Sequence, residues 1–205
     1  MPAHSTEIRR GRPGHDRDSV LVVAAGAFNE FGYDATSMGT LAERLGVTKS
    51  AIYYHFESKA QILERALDEA LGALEGVLDE ATGAAHAADS AIDRLAFVMR
   101  GAVLVLVDKL PYVTLLLRLR GNSEVERAAL ARRRAFDRAV SDLVVAAKDE
   151  GALRPDIDPR IAERLIFGMI NSIAEWYRPE GPEDAQRLAD DVLAVALGGL
   201  RRSAG

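Results

Sequence analysis

Residues 46–59 read GVTKSAIYYHFESK and place Tyr53, Tyr54 and Phe56 within four positions of a chain that is only 6% aromatic. His55 sits among the rings, with Lys49 and Lys59 on either side. A hydrophobic core favours Phe, Leu and Ile over hydroxyl-tipped rings beside Lys, Ser and Thr. Acid–base catalysis calls for paired titratable groups, which describes this segment no better. What the side chains offer is hydroxyl and cationic donors. Phosphate oxygens and the base edges of nucleic acid are their natural acceptors.

The elements that position these groups are helical, and no alternating strand pattern competes. Thr48 is placed as an N-cap, with Val47 and Ile52 at the two positions of a hydrophobic staple. At about 100° per residue, Ile52 and Phe56 share one face, which must be buried. Ser50, Ala51 and Tyr54 then point away from the core, with Lys49 and Tyr53 on one flank and His55 on the other. Before them, Ser37 or Thr36 caps a short helix bearing Met38, Leu41, Ala42 and Leu45 on one face, stopped by Gly46. Two short helices joined by LGVTK have the proportions of a helix-turn-helix, and the helix N-terminus behind Thr48 adds free N–H groups for a phosphate.

Upstream, Val20, Leu21, Val23, Ala24, Ala27, Phe28 and Phe31 form a helical stripe ended by Gly32. Downstream, Ser58 with Gln61 and Ser123 with Glu126 are capping-box patterns opening helices to about Thr82 and Glu150. Asp158 and Pro159 occupy the N-cap and N1 positions of a helix to about Tyr177. Further helices over roughly 89–107, 111–119 and 182–201 bring the expectation to nine helices and no strands, an all-α fold.

Composition bounds the function. The net charge is −5, yet the first sixty residues hold seven basic and seven acidic side chains, so the excess acid lies beyond them. There are no cysteines, which fits a reducing compartment. No apolar signal region opens the chain, and the longest oily stretch, residues 101–107, is too short to span a bilayer. A cytoplasmic protein without a membrane partner is expected. His4, His15, His55 and His86 fall in no metal-ligand spacing, and there is no phosphate loop or nucleophile elbow. No catalytic residue, cofactor or metal is expected.

Residues 14–74 resemble the tetracycline-repressor (TetR) family of transcriptional regulators. The match lies in AFNEFGYDATSMGTLAERLGVTKSAIYYHFESKAQIL: a Phe-x-x-Phe-Gly helix end, Thr36-Ser37, Leu41-Ala42, Gly46-Val47, Tyr54-His55-Phe56 and then Lys59. The resemblance implies an all-helical homodimer whose third helix enters the major groove of operator DNA. It further implies that Ser37, Thr48, Tyr53, Tyr54 and Lys59 bind phosphates, while Lys49, Ser50, Ala51 and His55 face bases or their phosphates. Gly39 and Thr40 depart from the pattern, standing where many members place a larger or charged pair, so base contacts from the second helix are not expected. RRGRPG at residues 9–14 has the composition of a minor-groove arm, with Arg10 and Arg12 as its contacts. The expected organisation is an arm over 1–13, a DNA-binding domain over 14–74 with its helix-turn-helix at 37–56, and an effector-binding and dimerisation domain over 75–205.

For that last domain, Phe97, Leu104, Leu116, Phe136 and Phe167 are candidate pocket residues, although each alone reads first as plain core. Asn171 and Trp176 add a polar anchor and a flat wall with one donor. Residues 171–200 resemble the C-terminus of family members that sense CoA thioesters, most of all in Trp176-Tyr177-Arg178-Pro179 and Gly198-Gly199. The run Arg132-Arg133-Arg134 is either a cationic site for ligand phosphates or a solvated face. Small residues Gly168, Ala174, Ala194 and Gly198 on the last two helices permit the close packing of a dimer interface. The implied protein is a repressor released by a hydrophobic effector such as an acyl-CoA. A multidrug sensor and a binding protein without DNA are the alternatives, and an enzyme has no constellation behind it.

Overall fold

The computed structural model describes residues 16–200. Among them are nine α-helices and no strand: α1 (Arg17–Phe31), α2 (Met38–Leu45), α3 (Lys49–His55), α4 (Lys59–Thr82), α5 (Ala91–Asp108), α6 (Leu110–Leu117), α7 (Glu124–Asp149), α8 (Pro159–Trp176) and α9 (Ala185–Leu200). The alanine-rich joint after α4 holds one 3-10 turn, Ala84–His86. None of these helices is long and apolar enough to cross a membrane.

Local sequence explains most ends. Asp16, Ser37, Thr48, Ser58, Ser90, Ser123 and Asp158 each accept a backbone N–H of the first turn that would otherwise lack a partner. Gly46 ends α2 at φ 65°, a left-handed conformation that turns the chain toward α3 without steric penalty. The two capping boxes close differently from expectation. Gln61 Oε1 accepts from Glu57 N at 2.7 Å. Buried Glu126 turns further back, its Oε2 accepting from the backbone N–H of Arg120, Gly121 and Asn122 at 3.3, 2.8 and 3.0 Å.

Helix α4 joins the two halves of the fold. It packs against α1 and, more extensively, against α5 and α7. Where α4 meets α5, Gly101 leaves no room for a side chain: a Cβ there would lie 2.3 Å from Val77 Cγ1. Arg132 of α7 clamps α4 from the other side, bonding Asp68 at 2.6 Å and Glu75 at 2.7 Å. A second bridge ties α1 to α6. Asn29 Nδ2 donates to Pro111 O at 2.8 Å and Arg118 Nη1 donates to Asn29 O at 2.9 Å.

Candidate nucleic-acid interface and effector cavity

Ile52 and Phe56 are fully buried and anchor α3 against the N-terminal helices. That anchoring fixes what the opposite face shows. Thr48, Lys49, Ser50, Ala51, Tyr53 and Tyr54 are exposed, Tyr54 at 86%, and His55 is half-buried with its ring edge-on to Tyr54 at 5.1 Å. Ser37 at the start of α2 is exposed too, its hydroxyl 3.0 Å from that of Thr40. The Lys49 chain leans toward α2: its Cε and Nζ lie 3.1 and 3.3 Å from where a Cβ on Gly39 would stand. Arg10 and Arg12 lie outside the described residues.

Lys59 is engaged within the fold. Its ammonium donates to the carbonyls of Tyr33 at 2.8 Å, Asp34 at 3.4 Å and Thr36 at 2.8 Å, and it lies 4.2 Å from the Tyr33 ring centroid. An ammonium has three protons, and all three are engaged. In the free protein Lys59 therefore clasps the α1–α2 loop to α4. The sequence reading also missed Arg17, whose guanidinium lies 5.2 Å from the Phe56 ring and ties α1 to the end of α3.

In the other half, α4 to α8 line a small cavity of about 30 Å³, whose walls are apolar side chains with Arg133, Asp137 and Asn171. Of the seven candidate pocket residues, Leu116, Phe136, Phe167 and Asn171 line it. Phe97, Leu104 and Trp176 do not. Helix α5 presents Ala102 and Leu106 to the cavity, and Leu104 is about 200° round the helix from each. Phe97 lies on that far side as well, its ring 4.5 Å from His86. Trp176 lies beyond Asn171 at the end of α8 and is half exposed. The arginine run divides: Arg132 is bound to α4, Arg133 lines the cavity, and Arg134 is exposed.

Asp137 is the polar lining residue that sequence reasoning overlooked. Burial pushes its carboxyl above the usual range against the opposing pull of Arg133 and Arg138. Glu163 on α8 is raised as well, by burial first and then by the charge of Asp137. A carboxyl raised in the fold contributes stability below its unfolded pKa, and that contribution is lost as pH climbs through the folded value. Asp137→Asn should therefore melt above wild type near pH 7, with the gap closing toward about pH 4. Scanning fluorimetry across that range checks it; a variant that melts lower near pH 7 would mean the attraction to Arg133 dominates.

Helices α8 and α9 leave an apolar face uncovered. Ile161, Leu165 and Val195 are exposed at 51%, 68% and 68%, beside a groove of about 490 Å³ that includes Met169, Ala196 and Gly199. Gly168, Ala194 and Gly198 are exposed on these helices, and nothing stands within 4 Å of a Cβ built on either glycine. Ala174 is half-buried, off the stripe of Ile161, Leu165 and Gly168.

Two family models match the chain. Residues 20–66 fit the bacterial regulatory proteins of the tetR family, and residues 88–200 fit the tetracyclin repressor-like C-terminal domain. The chain belongs to the TetR family of transcriptional regulators. It is 45% identical to a TetR-family regulator of Streptomyces coelicolor A3 of known structure, with a TM-score of 0.81 over 94% of both chains. It is 28% identical to the HTH-type transcriptional repressor KstR2 of Mycolicibacterium smegmatis, over 95% of each protein. AibR, solved in complex with isovaleryl coenzyme A and operator DNA, shares the fold at 23% identity and a TM-score of 0.71, over 87% of this chain and 96% of that one. As a TetR-family member the protein is a DNA-binding transcription factor, not an enzyme.

Proposed function

We propose that the protein is a cytoplasmic homodimeric repressor that leaves a near-palindromic operator when a small hydrophobic effector enters the cavity between α4 and α8. The observation that carries this reading is α3, whose exposed face of hydroxyls and a lysine is fixed in orientation by two buried anchors. In this reading residues 14–74 bind DNA, with Ser37, Thr48, Tyr53 and Tyr54 on phosphates and Ser50, Ala51 and His55 facing base edges or the phosphates beside them. Arg10 and Arg12 supply the minor-groove arm. Residues 75–205 bind effector and pair with a second copy through the uncovered α8–α9 face. A two-fold dimer would place its recognition helices about 34–36 Å apart, one turn of DNA.

Support for an acyl-CoA or related lipid or aromatic catabolite comes from the apolar lining with its Arg133 and Asn171 donors. The relatives add to it: one is described as a ketosteroid regulator, and one was solved with isovaleryl coenzyme A. The Asp137 carboxyl on the same wall favours a second reading, a cationic drug as effector.

Fluorescence anisotropy with a duplex selected from a random pool tests the DNA half. Affinity should fall steeply with salt, as counterions released from the phosphates require. Thermal shift with acyl-CoAs, fatty acids, steroids, aromatic acids and cationic drugs tests the other half, since an effector that binds only the fold raises its melting temperature. The compound that stabilises should also release the duplex. A panel in which only cationic drugs act would favour the second reading.

A further inference from the structure

Gly39 stands on α2 where the side chain of Lys49, the first residue of α3, crosses toward it. A Cβ at position 39 would come within 3.1 Å of Lys49 Cε and 3.3 Å of its Nζ, closer than van der Waals contact allows without movement. The missing side chain is thus a notch, and the lysine lies in it. Nothing else among the described residues holds Lys49. Among the described residues its ammonium has no hydrogen bond or ion pair, in contrast with the ammonium of Lys59, whose protons are all engaged.

We infer that Gly39 is a positioning residue for DNA binding: by leaving this notch open it lets Lys49 lie across the first turn of α2, where it meets a DNA phosphate and not a base edge. The inference rests on the proposed DNA-binding face and assigns a role within it. The geometry divides the labour on that face. A lysine whose chain runs sideways to α2 does not project with Ser50, Ala51 and Tyr54, and an ammonium is a compact point charge suited to phosphate. Beside it stand the Ser37 and Thr40 hydroxyls, 3.0 Å apart, with the Ser37 Oγ 3.3 Å from the same empty Cβ position. Placed there, Lys49 contributes sequence-independent affinity, and discrimination between bases falls to α3 residues further along. The position thus has a role in staying small.

The test is a double-mutant cycle of Gly39→Val and Lys49→Ala, read by anisotropy on the selected duplex and on random-sequence DNA over a range of salt. Lys49→Ala should weaken both duplexes alike, about tenfold, and flatten the salt slope by roughly 0.9 for each phosphate left without its cation. Gly39→Val should do much the same while Lys49 is present, because its γ-carbons fill the notch. In the Lys49→Ala background it should change affinity by no more than about twofold, since coupled residues share one loss. The ammonium is the free end of a flexible chain and can move aside, so the melting temperature of Gly39→Val should stay near wild type. An undiminished loss in the Lys49→Ala background overturns the inference. So does a Lys49→Ala variant that loses affinity only for the selected duplex, which would place the lysine on a base. If wild-type protein bound neither duplex, the DNA-binding reading itself would fall; a wild-type protein that binds while the cycle shows no coupling would remove this inference alone.

Discussion

Glu126→Ala should melt well below wild type. The buried carboxylate accepts three backbone N–H groups through one oxygen, and they close the α6–α7 loop around it. Alanine removes the acceptor and leaves three donors without a partner. A buried donor left unpaired costs about 1–3 kcal/mol, but Arg120 and Asn122 are exposed and water can reach their N–H groups, so a loss of about 2 kcal/mol is expected. In a chain of this size that lowers the melting temperature by roughly 4–8 °C. Glu126→Gln keeps an oxygen at the same reach and should lose only part of this, since an uncharged acceptor makes weaker bonds. Chemical denaturation of both variants decides it, and equal losses would mean that charge, not satisfaction of the loop, is what Glu126 supplies.

The second large effect is expected at Gly101. Adding one methyl there sets a carbon 2.3 Å from Val77 Cγ1 and 2.9 Å from Cγ2. Unlike the lysine over Gly39, valine is stiff at χ1 and cannot swing away. Helices α4 and α5 must separate, and overpacking of this kind typically costs about 1–3 kcal/mol. Because α4 also carries Lys59 at its other end, the strain should weaken DNA binding as well as stability. Val77→Ala in the same chain removes both clashing methyls and should restore much of each loss. Gly101→Ala with wild-type melting and wild-type affinity would show that α4 and α5 can part freely.

What is legible in the sequence is local. Thr48, Ile52 and Phe56 lie within nine residues of one another, and capping and helical spacing alone place them correctly. The nine helices follow from the same kind of signal, with ends moved by one to three residues where a cap lies further in, as at α9. Lys59 escapes it because its partners are main-chain carbonyls more than twenty residues earlier, and a carbonyl has no sequence signature. Phe97 and Leu104 cannot be separated from Leu116 and Phe136 by hydrophobicity. Which side of α5 faces the cavity depends on how α4, α6 and α7 are docked, and that is a property of the whole assembly. The split of the arginine run is a similar case: Arg132 finds Asp68 and Glu75 only because α7 lies against α4.

The size of the cavity has a kinetic consequence. About 30 Å³ holds a water molecule or two and nothing as large as a lipid or a drug. An effector that uses this space cannot enter the resting arrangement; it must wait for the helices to part or wedge them open. The measured affinity is then the affinity of the opened form reduced by how rarely that form occurs. If opening comes first, the observed rate of capture should level off at the opening rate as effector concentration rises, making the protein a slow sensor. Substitutions that loosen the packing around the cavity would then quicken the response and tighten binding together, at the expense of the closed state.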